Sequence, residues 1–284
     1  MPGRRRPFLR NVAILTAGGL IERILGALYR VALARAAGPV ALGLIQFVLP
    51  ILRLCLILGT LGLPQALGRM IAESLARHRR DEAHAAFGWS LKTVAIAGGG
   101  LAVLLVSLAP VGRMLFPDAR VVPLLRWLAP ILVCDSLSQV IQASFQGHNR
   151  MWPIVGAGLL GQGVKLVLCL VLLARTAARG AGFVAGTALG IVAFSEAVSL
   201  FFLLAVHGRP ALDSAAESRA LLRSSLPLMG DGLVFAVAGA VDMLVIPRRL
   251  VRAGLARAAI TPLMGEVWGM ALPSIFLPMV IVWP

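Results

Sequence analysis

Apolar residues run through this chain in long blocks that short polar connections separate. A helix needs about 20 mostly apolar residues to cross the hydrocarbon core of a bilayer. Eight blocks reach this length, and they predict spanning helices over residues 12–34, 43–68, 85–110, 121–146, 153–174, 182–206, 225–247 and 263–284. The pattern therefore predicts an all-α polytopic membrane protein with about eight transmembrane helices.

The connections between the blocks contain glycine, proline or charge, which mark turns and loops. They read AAGPVA, RMIAESLARHRRDEAH, VGRMLFPDAR, GHNRMWP, RTAARG, HGRPALDSAAESRALLR and PRRLVRAGLARAAITP. The longest polar connection, residues 207–224, is interpreted as a cytoplasmic linker between two lobes. It separates a six-helix lobe over 1–206 from the start of a second lobe over 225–284.

An internal comparison supports this division. Residues 19–35 laid over 232–248 show five identities in 17 positions. Six predicted helices lie between the two starts, and an even number keeps the two repeats parallel. Parallel repeats about an axis along the membrane normal are one architecture of transporters.

Composition agrees with a helical membrane protein. The chain is 59% hydrophobic and 14% charged, with a mean hydropathy of +0.89. A soluble domain is about 45–50% apolar and about 25% charged. Aromatic residues make up only 6%, which argues against a membrane β-barrel with its aromatic girdles.

The net charge of +15 would suggest nucleic acid in a soluble protein. Here the basic residues are spread over short connections and form no nucleic-acid module, so anionic membrane lipids are the expected partner instead. Twelve arginines fall on one side of the predicted membrane and nine on the other. Because the RRR flank of the first helix is strong, we expect the N-terminus in the cytoplasm and the protein in the cell (cytoplasmic) membrane.

No motif indicates catalysis, a cofactor or a metal. The three cysteines (Cys55, Cys134 and Cys169) lie inside apolar blocks without CxxC spacing. The four histidines show no zinc-site spacing, and GLLGQGVK at 158–165 lacks the phosphate-loop pattern. We therefore expect no enzyme activity and no cofactor.

Charges inside the first predicted helix are the main candidate for a binding site. Arg23 and Arg30 are seven residues apart, so they lie on one helix face about 10 Å apart along the axis. Gly26 lies between them on that face and lets another group come close. Two guanidiniums suit a polyanion such as a diphosphate, because arginine binds phosphate bidentately. Glu22 points off this face and is expected to meet a basic residue of a neighbouring helix.

Other interpretations of these charges stay open. Arg30 can extend to the membrane surface together with Arg35, and Glu22 with Arg23 can form a structural pair. Arg53, deep in the second apolar block, is expected to face the interior.

Polar residues in later helices are as compatible with helix packing as with a site. They are the i,i+4 pair of Asp135 and Gln139, and Glu196 with its two neighbouring serines.

Three segments resemble the stage V sporulation protein B branch of the oligosaccharide flippase (MOP) superfamily. This superfamily also includes murein lipid II flippases and the multidrug and toxin extrusion (MATE) transporters. The segments are RILGALYRVALARAAGPVALGLIQFVLPI at 23–51, FQGHNRMWPIVGAGLLGQGVK at 145–165, and LPLMGDGLVFAVAGAVDMLVIPRRLVRAG at 226–254, continued by GMALPSIFLP at 269–278. The resemblance covers the whole chain and depends on the order and spacing of these pieces together.

The resemblance implies a MATE-like fold with two lobes around a central cavity. In lipid II flippases, arginines of the first two helices face that cavity, and Arg23, Arg30 and Arg53 match their places. Glu22, Gly26 and Asp242 are implied as further cavity or lobe-interface residues. The family has 12 to 14 spans, so a chain of eight is expected to be a fragment, a truncated frame or a split-gene product.

The function implied is transport, by alternating access, of a lipid-linked oligosaccharide or peptidoglycan precursor that carries a diphosphate. An alternative is a multidrug/cation antiporter of the same superfamily, which needs an acidic cavity. A membrane enzyme or scaffold of envelope assembly is a more distant alternative.

Overall fold

A computed structural model describes residues 5–116, 118–176, 179–208 and 218–275. All regular structure among these residues is helical. The α-helices are α1 (Arg5–Thr60), α2 (Leu63–Ala76), α3 (Arg80–Leu108), α4 (Gly112–Leu115), α5 (Val121–Gly147), α6 (Trp152–Leu168), α7 (Ala174–Thr176), α8 (Ala181–His207), α9 (Ser218–Arg252), α10 (Arg257–Met264) and α11 (Leu272–Ile275). A 3₁₀ turn (Ala109–Val111) and two π-helical segments (Cys169–Leu173 and Gly265–Ala271) connect some of them.

The helix α1 contains the first predicted span and most of the second. It is interrupted at Gly38, which has φ 70° and ψ 171° and is followed by Pro39. Glycine adopts this positive φ without steric cost, and proline cannot donate to the helix ladder. The predicted break in the AAGPVA connection is therefore confirmed, although only one residue, Gly38, leaves the helical conformation.

The second predicted span, residues 43–68, does not continue as one helix. The backbone turns at Leu61 and Gly62, which have φ 53° and φ 66°, and α2 begins at Leu63. A Cβ at Gly62 would lie 2.7 Å from the backbone oxygen of Ser225, so the turn brings α2 close to α9. Because α2 extends to Ala76, much of the predicted connection RMIAESLARHRRDEAH is helical.

The third to sixth predicted spans correspond to single helical stretches, α3, α5, α6 with its π segment, and α8. The connections between them contain the turn conformations that their sequences predict. Asn149 and Gly180 have positive φ, and the 3₁₀ turn with the short α4 precedes the bend at Phe116. The hydrophobic blocks thus predicted these elements to within a few residues.

Two apolar cores hold the helices together. One is built mainly from α1, α5 and α8 and has Phe47, Leu128 and Leu189 at its centre. The other joins α2 and α3 to α5 through Leu67, Phe87 and residues around them. The helix α5 contributes to both cores and contacts α3 on one side and α8 on the other.

The helices that follow the polar connection pack directly on the beginning of the chain. The helix α9 begins inside the predicted linker and contacts α1 and α2. A Cβ at Gly43 would collide with the backbone oxygen of Thr261, and one at Gly265 would collide with that of Pro39. Backbone contact of this kind requires glycine at both positions, and it fixes α10 and the second π segment against α1.

Five described stretches are long and apolar enough to cross a membrane, and a sixth is added if the bent pair Leu221–Gly230 and Gly232–Arg252 is one span. The stretch Asn11–Ala76 has 66 residues, far more than the roughly 20 of one crossing. The expected number of eight spans stays a prediction, since 276–284 in the eighth lie outside the described residues.

Candidate functional site

Arg30 presents an exposed guanidinium on α1, within the first predicted span. Its Nε donates a hydrogen bond of 3.3 Å to the backbone oxygen of Gly26, one turn earlier. The side chain therefore bends back toward Gly26 on the same helix. The described residues give Arg30 no ion pair.

Gly26 faces the neighbouring helix α6. A Cβ at this position would lie 3.7 Å from Nε2 of Gln162, which is an ordinary van der Waals distance. The Oε1 atom of Gln162 is buried and has no hydrogen-bond partner. The side chain that comes close to Gly26 is thus the amide of Gln162, whose oxygen accepts no hydrogen bond from the described residues.

Arg23 and Arg53, the other two arginines predicted for the site, differ in their exposure. Arg23 is half-buried, and its charge acts on Glu22. Arg53 lies beyond the Gly38 break and is exposed. Asp242 is exposed on α9. Their assignment to a common cavity stays a prediction.

Glu22 packs against a glycine of α6. A Cβ at Gly158 would lie 2.6 Å from Oε2 of Glu22, so the absence of a side chain there makes room for the carboxylate. The charges acting on Glu22 are those of Lys165, Glu196 and Arg23. Lys165 belongs to α6 and is the strongest opposite charge, in agreement with the expectation of a basic residue on a neighbouring helix.

The direct ion pair of Lys165, however, is with Glu196 on α8. Its Nζ lies 2.8 Å from Oε1 of Glu196, and the two side chains are 16% and 21% exposed. The charge of Lys165 also acts on Glu22, without a direct ion pair between these two described residues. Lys165 thus forms its ion pair with Glu196, and its effect on Glu22 is through charge alone.

Asp135 of α5 completes this group of charges. Its Oδ1 accepts a 3.3 Å hydrogen bond from Nε2 of Gln139, which confirms the predicted i,i+4 contact. The charges of Glu196 and Lys165 also act on Asp135. We call Glu22, Asp135, Lys165 and Glu196 the charged network: it joins α1, α5, α6 and α8 and holds three carboxylates and one ammonium.

The sequence had marked the members of the charged network one by one but had not predicted that they meet. A local signal existed in the segment GLLGQGVK of α6. Gly158, Gly161 and Lys165 have i, i+3, i+7 spacing and share one helix face. Gly161 makes room for Ser199, whose Oγ donates to the backbone oxygen of Ala157 at 3.1 Å. The glycines therefore serve helix packing and not phosphate binding.

Metal binding has no evident basis in the part of the chain that the structure describes. No group of three His, Cys, Asp or Glu side chains there is placed to hold a metal ion. In the charged network, the ammonium of Lys165 pairs with Glu196 and acts on the other two carboxylates. The arrangement holds opposite charges together inside the bundle, while the guanidinium of Arg30 is exposed on α1.

Comparison with known proteins identifies the family. Residues 8–283 match the family described as polysaccharide biosynthesis protein. The chain belongs to this family. Stage V sporulation protein B of Bacillus subtilis (strain 168) is 26% identical over 287 residues, which are 96% of this chain and 55% of that protein. The chain thus spans about half the length of this relative.

Solved structures show the fold. An inward-facing MATE family multidrug resistance transporter of the MOP superfamily has a TM-score of 0.68 at 18% identity, over 91% of this chain and 60% of that one. A MOP superfamily transporter from Pyrococcus furiosus, described as having a binding pocket of reverse polarity, has a TM-score of 0.65 at 17% identity, over 91% and 62%. The family resemblance and the MATE-like helical fold are confirmed, and the chain is a polytopic membrane protein.

Proposed function

We propose that this chain forms the substrate-binding part of a flippase for a lipid-linked oligosaccharide or peptidoglycan precursor that carries a diphosphate. The observation that carries the proposal is the exposed guanidinium of Arg30, which has no ion pair among the described residues and donates a hydrogen bond to the backbone oxygen of Gly26. A charged group inside a spanning helix is costly, by about 2.5–3.5 kcal/mol at the helix centre and by less toward its ends. Such a cost is offset when the charge meets a polar guest in a cavity.

The arginines of α1 support an anionic guest. The carboxylates of the charged network have Lys165 as a cationic partner inside the bundle. Arg30 forms no ion pair among the described residues, and the charge of Arg23 acts on Glu22. The exposed guanidinium of Arg30, together with Arg23 and with Arg53 beyond the Gly38 break, would bind the diphosphate bidentately.

The transport cycle follows from this assignment. The six-helix lobe over 1–206 and the second lobe that begins at 225 would rock about the diphosphate site in the cell membrane, with the N-terminus in the cytoplasm. No bond is broken, so the protein is not an enzyme and needs no cofactor. The arginines would replace water around the phosphates while the headgroup crosses the hydrocarbon.

A second candidate is a multidrug/cation antiporter. It is favoured by one observation, the excess of carboxylates over ammonium groups in the charged network. An organic cation would have to displace the ammonium of Lys165 from Glu196.

Binding measurements on the 284-residue chain in phosphatidylcholine nanodiscs separate the two candidates. The flippase proposal predicts that a polyprenyl diphosphate binds at least about tenfold more tightly than the matching monophosphate, because a second phosphate meets a second guanidinium. It also predicts no saturable binding of ethidium. Equal affinity for the two lipids would refute diphosphate recognition, and saturable ethidium binding would favour the antiporter.

A further inference from the structure

A small polar cavity lies where α3 begins and where α5 and α8 end. Its volume is about 170 Å³. It is lined by Ala83, His84, Phe87, Ser144, Phe145, His148, Arg150 and His207. None of these eight residues is acidic, and three are histidines. We call this space the histidine cavity.

Aromatic contacts fix the imidazole of His207 in the wall of the cavity. Its ring stacks on Phe87 with 4.4 Å between centroids, and Phe145 packs against it edge-on at 5.3 Å. Its Nε2 lies 3.2 Å from Oγ of Ser144. The ring is thus held between two helices in one orientation.

Hydrogen bonds also hold the next basic groups. Nδ1 of His148 lies 2.8 Å from the backbone oxygen of Ser144. A carbonyl oxygen only accepts, so Nδ1 carries the proton and Nε2 is left for another partner. The backbone N–H of Arg150 donates to the oxygen of Phe145 at 2.9 Å, which closes the turn after α5 and places the arginine at the cavity.

The basic groups are close enough to influence one another. The charges of His148, His84 and Arg150 all act on His207. The nearby acid Glu82, in the first turn of α3, is engaged by Arg79 at 3.0 Å. Four basic side chains from α3, the turn after α5, and α8 therefore surround one space that lacks a carboxylate in its wall.

Size and charge together define the guest. Pockets for drug-sized ligands measure about 300–1,000 Å³, so the histidine cavity accepts only a small ion or headgroup. The described histidines are not grouped for a metal ion. Arginine and imidazole N–H groups are, in contrast, the usual donors to phosphate oxygens.

We propose that the histidine cavity binds a phosphate group, through His84, His148, His207 and Arg150. The phosphate belongs either to a free ion or to the headgroup of an anionic phospholipid. The cavity lies on helices other than α1, so this inference does not depend on the diphosphate site of Arg30.

The test uses the full chain in nanodiscs and follows its thermal unfolding. Inorganic phosphate is titrated in discs of phosphatidylcholine, and separate discs contain phosphatidylglycerol without added phosphate. His84→Gln and Arg150→Gln are the test variants, because both side chains are exposed and their loss leaves the core intact. His78→Asn is the matched control: His78 lies outside the cavity, and its φ of 60° suits asparagine.

The expected result is a saturable rise of the unfolding temperature. The phosphate concentration that gives half of this rise should increase about tenfold or more in both test variants and stay unchanged in His78→Asn. Stabilisation by inorganic phosphate alone assigns the site to a free ion, and stabilisation by phosphatidylglycerol alone assigns it to a headgroup. A wild-type chain that responds to neither would overturn the proposal. So would test variants that respond as the wild type does.

Discussion

The ammonium of Lys165 lies 2.8 Å from the carboxylate of Glu196, and this ion pair joins α6 to α8 inside the helix bundle. Glu22 and Asp135 bring two further carboxylates within reach of the same charge. One lysine thus balances acids from three other helices. Its removal leaves three partly buried carboxylates with no ammonium among them.

Lys165→Met is therefore expected to destabilise the protein more than Glu196→Gln, which leaves the lysine with two other acids. Loss of one partner from a fully buried pair costs about 3–5 kcal/mol, and we expect about 2–3 kcal/mol here because both side chains are partly exposed. Thermal unfolding in detergent measures the difference. Lys92→Met is the matched control, since Lys92 is exposed on α3. Equal loss in Lys165→Met and Lys92→Met would show that the charged network contributes nothing specific.

Gly43→Ala tests the packing of α10 on the first part of the chain. The new methyl would collide with the backbone oxygen of Thr261, and backbone yields less readily than a side chain. Overpacking of this kind costs about 1–3 kcal/mol. Gly19→Ala is the control within the same helix, because nothing lies within 4 Å of its added Cβ. The contact is unimportant if the two variants unfold at the same temperature.

Acid should weaken the loop before α5. The guanidinium of Arg120 donates to Asp118 at 2.7 Å and, with the hydroxyl of Thr261, lowers the pKa of this carboxyl despite partial burial. A lowered pKa in the folded state means that the stabilisation is complete above the unfolded pKa of about 3.9. It is lost as the pH falls through the lower, folded value.

Asp118→Asn should accordingly lower the unfolding temperature at pH 7 and flatten its dependence on pH below about 4. Asp81→Asn serves as the control, since Asp81 is exposed at the start of α3. Unfolding temperatures of the three proteins between pH 3 and pH 7 provide the comparison. Parallel curves for the wild type and Asp118→Asn would contradict the assigned role.

Hydrophobic blocks predicted most helices because burial in lipid is a property of each segment alone. The blocks at 121–146 and 182–206 correspond closely to α5 and α8. The turn at Leu61 and Gly62 was missed because it lies inside an apolar block and interrupts it for only two residues. Local composition does not register such a short break.

The candidate site was harder to predict than the fold. The contact of Gln139 with Asp135 could be predicted because it follows from their spacing on one helix, and the structure confirms it. The meeting of Lys165 with Glu196 depends on how α6 and α8 pack, which no local pattern gives. The place of Arg53 relative to Arg30 depends on the break at Gly38 in the same way.

The most direct test of the central claim compares Arg30→Gln with Arg35→Gln for binding of a polyprenyl diphosphate in nanodiscs. Both arginines are exposed on α1, and Arg30 donates a hydrogen bond to the backbone oxygen of Gly26. Loss of a charge-assisted contact should weaken binding about tenfold or more in Arg30→Gln and leave Arg35→Gln close to the wild type. An unchanged affinity in a folded Arg30→Gln chain would contradict the proposed recognition of a lipid diphosphate by α1.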